Sequence, residues 1–229
     1  MAILAGGLAT RLRPLTENLP KSLVEIQGEP FVAHQLRLLQ AKGVEQVVLC
    51  VGYKGEMIRD VTGDGGRFGL KVGYAFDGPS LLGTAGAVRN ALPLLGGSFF
   101  VMYGDSYLTC DLGALARAFF SSGKLAMMTV FHNKGLWDTS NVEFANGRII
   151  AYNKANRNAR MHYIDYGLGV FRAEAFTASS SPDLAEMYAE LLQSGQLAAH
   201  EVPERFYEIG SPEGLQDTVR FLASRVLQK

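Results

Sequence analysis

The stretch Met1-Ala2-Ile3-Leu4-Ala5-Gly6-Gly7-Leu8-Ala9-Thr10-Arg11-Leu12-Arg13-Pro14 decides the fold class of this chain. The apolar run Met1 to Leu4 stops at a glycine pair, as a buried strand does when it feeds straight into a loop. Such glycines let backbone N–H groups approach a polyanion closely. Arg11 follows as a planar donor fork suited to phosphate oxygens, and Lys21 adds a second cation on the same loop. Pro14 and Pro20, with no helical apolar spacing, predict an irregular segment from Leu8 to Ser22. A loop of that length between core runs carries function more often than not. Strand, glycine turn and two cations together read as a phosphate cradle. Two better-known cradles do not fit. There is no GxxxxGK[ST], and Gly6-Gly7-Leu8-Ala9 lacks the GxGxxG spacing, with Arg and Pro where a helix should open. The missing dinucleotide fingerprint disfavours an NAD-dependent oxidoreductase.

Outward from this loop, strands and helices alternate. Pro30 to Leu39 has apolar residues at three and four spacing, opened by proline and followed by Gly43, which predicts a helix. Val47 to Val51 is an unbroken apolar run, as expected of a strand covered on both faces in a parallel sheet. A helix over 54–61, a strand over 70–76, a helix over 83–92, a strand over 99–103 and a helix over 112–120 follow. This alternation predicts a doubly wound α/β sheet up to about residue 122. Beyond it, strands are expected at 126–131, 141–144, 148–152 and 167–171, with Asn146-Gly147 as a hairpin turn. Helices over 183–192 and 212–227 close the chain. No repeat or linker divides it, so the second half is expected to extend the same sheet. The expectation is a single Rossmann-like domain over 1–229 with a mixed, mainly parallel central sheet.

Composition narrows the function. Lys plus Arg and Asp plus Glu both number 22, so the formal net charge is zero, which argues against a nucleic-acid binder. With 229 residues, 48% hydrophobic and 19% charged, the chain can bury a full core, which excludes disorder as its main state. Cys50 and Cys110 belong to no ligand cluster and read as buried free thiols rather than a zinc site. No basic region precedes the first apolar stretch and no apolar run approaches the ~18 residues of a membrane span. A cytoplasmic location and no membrane partner are therefore expected. The four histidines adjoin no nucleophile motif and receive no role.

The loop LAGGLATRLRPLT…PKSL resembles the signature GGxGTRLxPLT…PK of the sugar-1-phosphate nucleotidyltransferases. Later landmarks fall in the family's order: Leu82-Gly83-Thr84-Ala85-Gly86-Ala87, Tyr103-Gly104-Asp105 and Tyr207-Glu208-Ile209-Gly210-Ser211-Pro212-Glu213. In length the chain is similar to the short bacterial heptose-1-phosphate guanylyltransferases and N-acetylmuramate-1-phosphate uridylyltransferases. The resemblance implies the nucleotide-diphospho-sugar transferase fold, with 1–122 as the nucleotide-binding half and 123–229 as the sugar-phosphate-binding half. It assigns Leu4, Ala5, Gly6, Gly7, Thr10, Gly83, Thr84 and Asp105 to the nucleotide. It makes Arg11 and Lys21 the catalytic cations.

Asp105 follows the apolar run Phe99 to Tyr103, where open α/β sheets bind ligands at strand carboxyl ends. Asp111 takes the cap of the next helix and leaves Asp105 free. The resemblance makes Asp105 and Glu208 ligands of Mg2+, or Mn2+, a cation that needs only one or two carboxylates besides substrate phosphates. Glu208 departs from the family's usual Asp. On the acceptor side, Lys154 in Tyr152-Asn153-Lys154 matches the lysine of the family's E-K-P. Asp165 and Gly167 stand at its N-x-G, and Glu143 where members read the sugar.

The implied partners are a nucleoside triphosphate and a phosphorylated small acceptor, and the chain is expected to be a monomer or homodimer. The implied reaction gives an NDP-sugar and pyrophosphate. Guanylyl transfer to a heptose or manno-configured phosphate is preferred over uridylyl transfer to a hexose or N-acetylmuramate 1-phosphate. Because Asn153 and Asp165 depart from the sugar-reading pattern, cytidylyl transfer to a non-sugar phosphate is a further alternative. So is a silent nucleotide-sugar sensor, which Glu208 favours and the joint presence of Arg11, Lys21 and Asp105 opposes.

Overall fold

Apolar runs that do not alternate become the middle of one sheet. In a computed structural model describing residues 1–226, the first half holds strands β1 (Ala2–Leu4), β2 (Glu25–Ile26) and β3 (Glu29–Pro30), then helix α1 (Phe31–Ala41). It continues with β4 (Gln46–Val51), α2 (Gly55–Thr62), β5 (Lys71–Phe76), α3 (Gly83–Ala91), β6 (Ser98–Tyr103), β7 (Ser106–Tyr107) and α4 (Leu112–Ser122). The second half holds β8 (Ala126–His132), β9 (Val142–Ala145), β10 (Arg148–Tyr152), β11 (Tyr163–Arg172), α5 (Ala173–Ala178) and α6 (Leu184–Gln193). It ends with β12 (Leu197–Glu201), β13 (Tyr207–Glu208) and α7 (Pro212–Val226).

Strands β5, β4, β1 and β6 lie side by side and parallel. β11 then joins β6 antiparallel, with Leu168 opposite Met102, and β8 flanks β11 antiparallel. β12 runs parallel to β8, and the β9–β10 hairpin attaches at Tyr163–Val142. The second half therefore extends the first half's sheet, as expected. Asn146 and Gly147 both have positive φ, 51° and 74°, the backbone that a two-residue hairpin turn demands.

Alternation along the strands sends side chains to two cores. Ala2, Val48 and Val101 face helices α3, α5 and α6. Ile3, Leu49 and Met102 face α1, α2 and α4. Helices thus cover both faces, which is why the strands need no polar side. A smaller cluster of Val24, Ile26, Phe31, Tyr107, Ile209 and Leu222 seats α7 and the β7–β13 pair against α1.

β1 has β4 on one side and β6 on the other, so the strand order reverses there and a crevice opens at the strands' carboxyl ends. Gly104 fits closely into this crevice. Its N–H donates to the Leu4 carbonyl at 2.9 Å, and a Cβ at Gly104 would run into that same carbonyl. Asp105 is thereby carried next to the Gly6-Gly7 loop.

Several elements differ from expectation. β11 runs ten residues, not five. β12 and the two-residue pair β7–β13 have no counterpart in the sequence reading. The expected last residue of the final helix, Leu227, lies outside the described residues.

Candidate active site

Two cavities meet at the crevice. The first, about 230 Å³, is lined by residues from Leu4 to Asp105 at the ends of β1, β4, β5 and β6. Leu4, Cys50, Leu81 and Ala87 give it apolar walls, and Gly6, Gly7, Lys21 and Asp77 give it polar ones. Burial pushes the Cys50 thiol up to about 12. Asp77 was not anticipated from sequence. Its Oδ2 accepts from the Leu82 N–H at 3.4 Å, while its Oδ1 is buried without a partner. Burial raises this carboxyl above its ordinary value. The signal was available, since Asp77 follows the apolar run of β5 directly, as Asp105 follows β6 one glycine later.

Gly83 and Thr84 line the same cavity at the start of α3. Two of the four N–H groups in the helix's first turn are engaged: Ala85 and Gly86 donate to the Pro182 carbonyl at 2.9 and 3.2 Å. The Thr84 hydroxyl oxygen accepts from the Leu184 N–H at 2.7 Å. This turn offers shape and apolar contact, with the Ala85 and Gly86 N–H groups turned to Pro182.

The second cavity, about 390 Å³, shares Tyr103 and Asp105 with the first. Arg11, Lys154, Asp165, Gly167 and Glu208 also line it. At the junction Lys21 Nζ donates to Asp105 Oδ2 at 2.7 Å, with both side chains about four-fifths buried (20% and 23% exposed). Opposite stands Gly210. A Cβ built there would lie 2.7 Å from Glu208 Oε2, 3.0 Å from Asp105 Oδ2 and 3.2 Å from Arg11 Nη2. One missing methyl group thus marks the point on which two carboxylates and a guanidinium converge. Glu208 also accepts from the Gly210 N–H and, at 2.6 Å, from the Ser211 hydroxyl, so its longer side chain folds back over the start of α7. The Ile209 N–H donates to the Asp105 carbonyl at 2.9 Å, which ties the two acid-bearing segments together. Among the described residues no group of three or more His, Cys, Asp or Glu forms a metal cluster. Two hard oxygens open to phosphate do fit a Mg2+ that takes its remaining ligands from substrate and water.

On the acceptor side Asp165 is nearly enclosed, with its side chain 4% exposed. It accepts from the Tyr152 hydroxyl at 3.2 Å and the Gly167 N–H at 3.1 Å. Lys154 Nζ lies 3.8 Å from its Oδ2 and donates to the Tyr103 hydroxyl at 3.2 Å. Burial and the Asp165 charge push the Tyr103 and Tyr152 phenols above their ordinary values, so both stay neutral donors. The buried Asp165, itself bonded by Tyr152, and the Tyr103 phenol therefore hold Lys154 at the cavity wall.

The structure brings together all but two of the sequence-derived site residues. Leu4, Ala5, Gly6, Gly7, Lys21, Gly83, Thr84 and Asp105 surround the first cavity, and Arg11, Lys154, Asp165, Gly167 and Glu208 join Asp105 around the second. Thr10 sits exposed in a 3-10 turn outside both. Glu143 also lines neither; its carboxylate pairs with Arg160 Nε at 3.1 Å and accepts from Asn158 at 3.4 Å. Beyond Asp77, the sequence reading missed Tyr103, Asn141 and Arg157 as lining residues.

The chain is similar to known nucleotidyltransferases. An N-acetylmuramate alpha-1-phosphate uridylyltransferase of Neisseria meningitidis is 38% identical over 113 residues, 49% of each chain. A D-glycero-alpha-D-manno-heptose 1-phosphate guanylyltransferase of Campylobacter jejuni is 34% identical over 49% of this chain and 50% of its own. A UTP–glucose-1-phosphate uridylyltransferase of Synechocystis is 26% identical over 99% of this chain and 64% of its own. The matches thus span about half to two-thirds of the lengths of these curated relatives.

Among solved structures, HddC of Yersinia pseudotuberculosis complexed with GMP-PN superposes with TM-score 0.80 at 22% identity, over 96% of this chain and 98% of that one. The inositol-1-phosphate CTP transferase of T. maritima does so with TM-score 0.80 at 24%, over 98% and 94%. At these identities the likeness is one of fold. The family model described as nucleotidyl transferase matches residues 1–224, and the chain belongs to that family.

Proposed function

We propose that this chain transfers a nucleotidyl group from a nucleoside triphosphate to a sugar 1-phosphate, releasing pyrophosphate. The observation that carries the reading is the Lys21–Asp105 pair at the junction of two cavities. One cavity is apolar enough for a base and glycine-lined enough for phosphates. The other is polar and carries Lys154 and Arg11. The first is lined only by residues up to Asp105, and the second mainly by residues from Asp138 onward, which supports a nucleotide half at 1–122 and an acceptor half beyond it.

The chemistry asks little of a general base. A phosphate monoester has its second pKa near ~6, so the acceptor is largely a dianion at neutral pH. What must be overcome is repulsion between anions, and fixed cations in a shaped site do that without reorganising. Lys21 stands where the α-phosphate and the acceptor phosphate would meet. Arg11 lines the second cavity beside Asp105 and Glu208, and from there it would reach the triphosphate and stabilise departing pyrophosphate. Lys154, held by Asp165 and Tyr103, would seat the acceptor phosphate. Asp105 and Glu208 are the residues that would hold Mg2+ or Mn2+. A bound divalent ion supplies neutralisation of phosphate charge.

Asp77 supports guanine as the base. A guanine edge offers two adjacent donors, N1–H and N2–H2, to a carboxylate. A uracil edge offers one N–H between two carbonyls, which a carboxylate repels. A buried Oδ1 without a partner costs free energy that a ligand donor would recover. The relatives divide among uridylyl, guanylyl and thymidylyl transfer, and uridylyl transfer to N-acetylmuramate 1-phosphate is the competing outcome taken first. Among the described residues no helix is long and apolar enough to cross a membrane, which is compatible with work on soluble substrates.

The test is pyrophosphate release with Mg2+, crossing GTP, UTP, CTP, ATP and dTTP against a panel of sugar 1-phosphates. Release that requires one triphosphate and one sugar phosphate together establishes the reaction. Tight triphosphate binding without release from any pair would overturn it in favour of a sensor.

A further inference from the structure

Two of the segments that wall the second cavity, 133–141 and 203–208, have no hydrogen bond between them among the described residues. One wall is the loop 133–141, which brings Asp138, Thr139 and Asn141 to the cavity; the other is the segment 203–208, which brings Phe206 and Glu208. Each wall is rooted separately. Asn133, fully buried, donates through Nδ2 to the Asp138 carbonyl and to the Ser140 hydroxyl. Its Oδ1 accepts from the Trp137 N–H at 3.4 Å. On the other side β13 pairs with β7, and Arg205 pairs with Asp217 of α7.

What crosses the gap is a pile of planar groups. The Arg205 guanidinium carbon lies 3.2 Å from the Trp137 ring centroid and 4.7 Å from that of Tyr207. Tyr207 in turn stacks on Phe221 at 3.8 Å and 14°. A guanidinium is flat, weakly hydrated and attracted to aromatic faces, so it can serve two rings at once. Arg205 Nε is buried without a hydrogen-bond partner, so its placement follows the stack rather than a polar contact at that atom. Phe206 and Glu208, which line the cavity, are chain neighbours of the two stacked residues Arg205 and Tyr207.

We infer that Trp137 and Arg205 are positioning residues that clamp the two walls of the acceptor cavity together and so set where Glu208 stands relative to the acceptor phosphate. This rests on the proposed assignment of that cavity to the acceptor. Neither residue is required to touch the reacting atoms. Truncating either lets the walls separate, and the acceptor, not the triphosphate, loses its fit.

Steady-state kinetics of the full chain test this, with the triphosphate–sugar phosphate pair found by the pyrophosphate screen. Arg205→Met keeps the aliphatic stem and removes the flat cation; Trp137→Ala removes the ring; Trp137→Phe keeps an aromatic face. Arg205→Met and Trp137→Ala are expected to raise the acceptor KM about tenfold while the triphosphate KM moves less than about twofold, and Trp137→Phe to stay within about threefold of wild type. Trp137 is the only tryptophan. Its fluorescence should therefore respond when the same sugar phosphate is titrated into the wild type, and lose that response in Arg205→Met. Unchanged acceptor KM in both truncations overturns the inference. So does a parallel rise of both KM values accompanied by a lower melting temperature, the mark of a merely structural stack. Absence of turnover in the wild type overturns the reaction and the clamp together, whereas wild-type turnover with unaffected variants overturns the clamp alone.

Discussion

Lys21 Nζ meets Asp105 Oδ2 at 2.7 Å across 84 residues of sequence, at the one place where the two cavities touch. The contact depends on Gly104, whose bare Cα lets the end of β6 press against Leu4. The pair is part-buried, each partner keeping about a fifth of its side chain in water. Its weight is in charge placement. Lys21→Ala and Asp105→Asn are expected to keep the fold and to lose turnover by on the order of 10²–10³. Pyrophosphate release and a melting curve on the same samples check this, and a folded variant with near-wild-type rate removes that residue from the mechanism.

Gly210→Ala is expected to act on the divalent cation. The backbone there is not in the left-handed region, so alanine is tolerated by the chain itself. The new methyl group would intrude between Asp105, Glu208 and Arg11. The Mg2+ concentration for half-maximal activity should rise about ten- to hundredfold, as it does when groups around a metal site are displaced. A Mg2+ titration of the variant that overlays the wild type would separate Glu208 from the metal.

Asp77→Asn replaces an acceptor-only carboxylate by an amide that also donates. If Asp77 reads guanine, kcat/KM for GTP should fall on the order of tenfold or more while discrimination against UTP collapses. An unchanged GTP-to-UTP ratio would leave the base to backbone groups around Leu4 to Gly6.

The cysteines give a pH-dependent outcome that does not need the substrate. Burial pushes Cys50 up to about 12 and Cys110 up to about 11, from an ordinary 9.0. Both thiols should resist a thiol reagent at neutral pH in the folded chain and react fully after denaturation. The linkage has a definite sign. Each thiol is held neutral in the fold, so its contribution is complete below about pH 9 and is lost as pH rises toward the folded values. Urea midpoints should therefore fall between pH 9 and 11. Because Cys50 lines the first cavity, a bound triphosphate should slow its reaction further, and Cys110 should show no such protection.

Much of this was legible in the residues. VVLC and FFVMY are apolar without alternation because helices cover both faces, and that pattern alone implied the parallel half of the sheet. Asn146-Gly147 announced its hairpin through a backbone that few other pairs adopt. β12 was not legible: Leu-Ala-Ala-His-Glu is a half-buried edge strand with neither an apolar run nor clean alternation. The β7–β13 pair joins residues about a hundred apart and leaves no local trace. At the site, strand-end carboxylates and loop cations could be found by position. The Arg160 partner of Glu143 is set by a loop conformation, and the pile of three aromatic side chains and one cation around Arg205 joins residues from three separate segments.

The Pro182 carbonyl that closes the start of α3 has a consequence in time. Helix α3 forms a wall of the first cavity, yet the acceptor for its Ala85 and Gly86 N–H groups is made almost a hundred residues later. At a synthesis rate of ~5–20 residues per second, that interval is roughly 5–20 s on the ribosome. During it the nascent chain carries a complete glycine loop and a half-finished pocket. The residues that line this cavity are therefore all synthesised before the carbonyl that fixes the start of α3.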